Sequence, residues 1–234
     1  MKPKVNVSSW LTTFWKTDRG LAIFLILLLV FTFLLPPFRS RIPTRWHAAE
    51  LFFVLLLLAG VFAVSRRRWH ALFMMTVVIA ALLLDMAYAL APSETLAAWS
   101  GAGMLAVLGL FCFVVLAQVF RGGPVTRERI LGAVAAYLLF GLTWASAYHL
   151  VAFHIPDAFA GAVPVEAKSW TAWVYFSFVT LTTLGYGDIT PVAPPARSLA
   201  MLEALTGQLY LVTVVARLVA LWIPSRRRSH DENQ

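Results

Sequence analysis

Between residues 182 and 188 the chain reads Thr182-Thr183-Leu184-Gly185-Tyr186-Gly187-Asp188. Glycines at alternate positions open backbone conformations closed to most L-residues, so successive carbonyl oxygens can point to one side of the strand. A ring of such oxygens can replace the water shell of a dehydrated cation. The oxygens expected to do so are the carbonyls of Thr183, Leu184, Gly185 and Tyr186, with the Thr183 hydroxyl at the inner end. Thr182, Gly187 and Asp188 support the strand. One strand cannot surround an ion, and the chain holds a single copy of the run. Four chains must therefore contribute one each, in closed cyclic symmetry.

A strand of this kind needs a scaffold. Residues 169–181 are aromatic and apolar, long enough for a short helix and too short to cross a bilayer. Ser169 is placed to cap that helix. Its C-terminal end would fall just before the strand, where the partial negative charge of the helix favours a cation. Irregular backbone at membrane depth survives only where it is buried or lines an aqueous path.

From about residue 170 to 217 the chain resembles the pore module of the potassium channel family, in the form common among bacterial channels. The run Thr183-Leu184-Gly185-Tyr186-Gly187-Asp188 carries the resemblance, as a selectivity filter behind a pore helix and ahead of an inner helix. It implies passive conduction of K+, with no resident cofactor, by a homotetramer in the bacterial inner membrane. Leu184 stands where valine is commonest, and a backbone carbonyl is indifferent to that change. Val179 stands where some members carry a glutamate behind the filter, so whatever that glutamate does has no counterpart here. The resemblance also makes Gly207 a bending point of the inner helix and places Gln208, Leu211 and Val215 on a water-filled cavity. A small residue at 207 has an equally good second reading, close helix packing.

The 234 residues are 60% apolar and 13% charged, which excludes an ordinary soluble domain. Apolar runs near the ~20 residues of a membrane-spanning helix are expected at 19–35, 46–65, 69–90, 95–120, 130–152 and 196–223. The fold class is thus an all-α membrane protein of six spans plus a re-entrant pore helix and filter, assembling as a tetramer. Residues 1–18 form a cytoplasmic interfacial segment and 19–120 a four-helix domain. Residues 121–129 are a linker, 130–224 the pore domain, and 225–234 a short cytoplasmic tail, with Pro224 expected to end the last span. Neither a cleavable signal nor an appended ligand-binding domain is expected.

The net charge of +8 is explained by basic residues flanking the spans rather than by a nucleic-acid partner. Their bias puts both termini in the cytoplasm and the filter mouth outside. The lone Cys112 indicates no thiol chemistry. The five histidines have no metal-ligand spacing and there is no glycine-rich phosphate loop, so an enzyme is not expected. The competing class is a non-conducting regulatory subunit that assembles with another channel chain.

Three acids lie at membrane depth, where a carboxylate is costly and invites a functional reading: Glu50, Asp85 and Glu203. Glu50 and Asp85 are expected to pair with Arg41 or Arg45 of the first outer loop, a proton-sensing role being the alternative. Glu203, one turn before Gly207, is expected to be held by pore-helix hydroxyls such as Thr180 or Thr182, or else to add negative potential near the ion path. Arg217 is expected to snorkel or to pair with a neighbouring chain. The layout is that of voltage-gated channels, yet the fourth span carries no arginine or lysine. Voltage-independent gating is expected, with Arg121, Arg127 and Arg129 as a displaced sensor in the competing view.

Overall fold

The computed structural model describes residues 18–36, 48–64, 68–120, 126–161 and 170–231. Among these the backbone is almost wholly helical. The helices are α1 (Asp18–Leu29), α2 (Ala48–Val64), α3 (Arg68–Leu90), α4 (Glu94–Val119), α5 (Arg127–His154), α6 (Trp170–Leu181) and α7 (Pro194–Asp231). Two three-residue strands, β1 (Phe159–Gly161) and β2 (Ile189–Pro191), pair antiparallel with Gly161 opposite Ile189. The stretches Trp69–Leu90, Glu94–Val119 and Arg129–His154 are long and apolar enough to cross a bilayer. The segment expected to lie on the membrane surface at 1–17, together with Arg41, Arg45, His47, Arg121 and Ser169, lies outside the described residues.

Helix ends follow local chemistry. Ser93 caps α4 by accepting from the Leu96 amide at 3.2 Å, which satisfies one orphan donor of the first turn. Thr126 does the same for α5 through the Arg129 amide at 3.4 Å. That cap starts α5 at Arg127 rather than at the expected residue 130, so Arg127 and Arg129 belong to its first turn. At the other end of the chain, α7 runs through Pro224 to Asp231 instead of stopping at the proline. A proline inside a helix removes one backbone bond and crowds the carbonyl four residues back. Here the loss is absorbed without ending the helix.

α5 is the central element, with Ala135, Ala136, Leu142, Ala145 and Tyr148 fully buried. It lies antiparallel to α4 along its length. Gly132 faces Val119, Gly109 faces Thr143, and Gly101 faces Leu150, with ideal β-carbon distances of 3.3, 4.0 and 3.1 Å. Only residues 120–126 separate the two helices. On the other side of α4, Gly60 of α2 leaves room for two rings, since a β-carbon there would lie 2.5 Å from Phe111 and 2.9 Å from Phe24. The hydrophobic core thus runs without a break from α1 and α2 through α4 into α5.

α1 continues into a π-helical turn at Val30–Leu34. Such a turn inserts an extra residue and rotates the faces that follow. Phe31 meets Phe53 of α2 with ring centroids 5.2 Å apart. Phe33 meets Phe178 of α6 at 5.4 Å. The Phe178 ring in turn lies on the bare backbone of α5 at Gly141, where a β-carbon would sit 2.5 Å away. The π turn that follows α1 therefore touches α6 directly.

Candidate functional site

α6 has twelve residues, as its aromatic sequence led us to expect. It buries Trp173, Ser177 and Leu181 along one stripe and Val174, Phe176 and Val179 beside it. Tyr175 faces out. The strand that follows is tied to the end of this helix by its own amides. Thr183 N–H donates to Thr180 O at 2.9 Å, Leu184 N–H to Val179 O at 2.9 Å, and Gly185 N–H to Val179 O at 3.2 Å. These bonds take up carbonyls that the last helical turn leaves unpaired.

The direction of the carbonyls follows. In a planar trans peptide, the C=O of one residue points opposite to the N–H of the next. The Leu184 and Gly185 amides both point into α6, so the Thr183 and Leu184 carbonyls both point away from it. Two consecutive carbonyls on the same side are impossible in a regular β-strand, where they alternate. The backbone achieves it by changing hand at every second residue: φ is +60° at Thr183, +57° at Gly185 and +78° at Gly187. Among the described residues the only other non-glycine with positive φ is Asp157. A β-branched residue in the left-handed region is an outlier that costs about 1–2 kcal/mol. Thr183 is held there by the α6 bonds on either side of it.

The outer end of the strand is fixed by Asp188. Its Oδ2 accepts from the Tyr175 hydroxyl at 2.7 Å and its Oδ1 from the Ile189 amide at 3.1 Å. β1 closes over this point so tightly that a β-carbon on Gly161 would collide with the Asp188 carbonyl oxygen. All of Thr182 to Asp188 is exposed in the single chain, Leu184 at 56% and Tyr186 at 66%. Large apolar side chains on a rigid strand with no cover in their own chain are a surface awaiting another.

Behind α6, Glu203 of α7 is fully buried. Its Oε2 accepts from the Tyr148 hydroxyl of α5, and its Oε1 lies 2.5 Å from Ser177 Oγ of α6. The Ser177 oxygen is also 2.7 Å from the Gly141 carbonyl. This corrects the expected partners: Thr182 spends its hydroxyl on Phe178 O at 2.6 Å, and Thr180 makes no contact with the acid. A pore-helix hydroxyl does hold Glu203, but it belongs to Ser177. Ser177 shares the 173–177–181 stripe with two buried apolar residues, a sequence signal for an inward-facing hydroxyl. Tyr148 gave no such signal.

One turn further along α7, Gly207 lets the helix backbone meet the end of α6. A β-carbon there would lie 2.6 Å from Leu181 O and 2.8 Å from its Cδ1. The packing reading of Gly207 thus has a physical basis. Gln208 and Leu211 are exposed on α7, while the Val215 side chain lies outside the described set. Asp85 accepts from Ser100 Oγ at 2.9 Å, joining α3 to α4; the side chain of Glu50 in α2 is not described. Arg217 makes contacts within its own chain. Its Nη2 donates to Phe120 O at 2.8 Å and its guanidinium carbon lies 5.1 Å from the Phe120 ring centroid. It thereby fills a carbonyl at the C-terminal end of α4.

No solved structure matches the chain. Residues 135–222 match the family model described as "Ion channel". The matched segment begins within α5 and contains α6, the strand of same-side carbonyls and most of α7. Over those residues the chain thus carries a segment similar to the ion channel family.

Proposed function

We propose that the protein is a potassium-selective channel in which four copies surround one ion path. The observation that carries this reading is the change of hand at Thr183, Gly185 and Gly187, together with the amides of Leu184 and Gly185 anchored on Val179. The Thr183, Leu184, Gly185 and Tyr186 carbonyls, with the Thr183 hydroxyl, form successive rings of oxygen in the tetramer. These rings replace the hydration shell of K+. The C-terminal ends of four α6 helices, each carrying roughly half a negative charge, point at the inner end of the path and favour a cation there. Exposed Leu184 and Tyr186 become interior once neighbours pack against them.

In this reading the chain crosses the cell membrane six times, through α1 to α5 and α7, and α6 re-enters. Both termini are cytoplasmic, as the basic residues at the expected inner ends require. α4 carries no arginine or lysine, so voltage is not the stimulus.

Flux from liposomes containing the purified protein tests the proposal. Potassium gradients are expected to drive a flux that sodium does not sustain. Equal sodium and potassium flux would refute the filter assignment. No flux from a folded tetramer would favour the regulatory-subunit reading.

A further inference from the structure

The contacts around Glu203 contain more hydrogen-bond acceptors than a carboxylate allows. Ser177 Oγ carries one hydrogen and has two oxygens in close contact, Gly141 O at 2.7 Å and Glu203 Oε1 at 2.5 Å. If Glu203 were ionised, one of those contacts would hold no hydrogen and press lone pair against lone pair. If Oε1 carries a proton, every contact is filled in one direction. Tyr148 donates to Oε2, Oε1 donates to Ser177, and Ser177 donates to the carbonyl of Gly141.

The surroundings agree with this count. Glu203 is fully buried, and an unpaired charge there would cost several kcal/mol. Among the described residues no cation is paired with it. The ionisable side chains near enough to feel it, Tyr148 and Tyr137, are both on α5 and neither is basic.

We propose that Glu203 is a positioning residue held as an uncharged carboxylic acid, which passes a hydrogen bond from Tyr148 through Ser177 to Gly141. Tyr148 and Gly141 are seven residues apart, two turns along one face of α5. The relay therefore starts and ends on the same face and clasps α7 and α6 onto it. One turn further on, Gly207 of α7 abuts Leu181 of α6. Two contacts one turn apart fix the height and rotation of α6, and with it the strand that hangs from Thr180 and Val179. The acid acts through its geometry and adds no field to the ion path.

The experiment uses the full-length protein in lipid and reads two quantities. The infrared spectrum at neutral pH is expected to contain a carboxylic-acid C=O band that disappears in Glu203→Gln. In Tyr148→Phe the same band should move to higher frequency, because Oε2 loses its donor. In liposomes, Glu203→Gln keeps an acceptor for Tyr148 and a donor for Ser177, so its potassium flux should stay within about twofold of wild type, all three bonds being preserved. Glu203→Ala and Ser177→Ala should lose most of theirs. Absence of a Glu203-dependent acid band would overturn the inference, as would a folded Glu203→Gln channel no better than Glu203→Ala. The flux arm rests on the potassium-channel reading. A wild type that shows the band without potassium flux refutes that reading and leaves the uncharged acid standing.

Discussion

Gly207→Ala separates a packing role from a bending role at the same residue. The added β-carbon would sit 2.6 Å from Leu181 O, and ordinary contact begins near 3.4 Å, so α6 and α7 must part by about 0.8 Å. Leu181 Cδ1, at 2.8 Å, can rotate away, but the carbonyl oxygen belongs to the backbone and cannot. Overpacking of this size costs about 1–3 kcal/mol. Replacing glycine by alanine inside a helix returns about 1 kcal/mol. The balance is a loss of about 1 kcal/mol per subunit, paired with displacement of the residue just ahead of Thr182. The measurement is the thermal midpoint of the solubilised tetramer, followed by size exclusion, with potassium flux on the same samples. A lower midpoint with reduced flux is expected. If Gly207 were only a bending point, the alanine variant would match or exceed wild-type stability and change open probability alone. That outcome would refute the close-approach argument.

Two further predictions concern conduction itself. Gly185→Ala meets no neighbour within 4 Å in its own chain, and at φ +57° an L side chain costs about 1–2 kcal/mol. Selective flux should vanish while the tetramer remains folded, and unchanged selectivity would remove Gly185 from the ion path. Voltage should have little influence, because moving one charge through 100 mV supplies about 2.3 kcal/mol and α4 offers none. Single-channel recording is expected to give a shallow curve, and a steep one flattened by Arg121→Gln would favour the displaced sensor.

What could be read in advance was local. The short helix α6, the left-handed backbone at Gly185 and Gly187 and the burial of Glu203 all follow from residue types within a few positions of one another, whereas the positive φ of Thr183 does not. What could not be read depends on the relative rotation of packed helices. Ser177 and Thr180 stand on α6 and Thr182 just past its end, and only the phase of α6 against α7 decides which hydroxyl reaches the acid. The same holds for Tyr148, one aromatic among several on α5. The π turn at Val30–Leu34 meets the Phe178 ring lodged against Gly141, a partner more than a hundred residues away. The Arg217 contact was hidden for a similar reason, since its acceptor is a backbone carbonyl at the end of α4, invisible to any pattern of charges.

The antiparallel union of α4 and α5 has a consequence for assembly. Joined by residues 120–126 and latched by Arg217 on Phe120, α4 lies along its own chain's pore elements. In the proposed tetramer each chain would then form one quadrant around its own pore elements. In a ring of mixed subunits, damage to α1, α2 or α3 would stay within its own quadrant, and its effect would scale with the number of altered chains rather than spread to their neighbours.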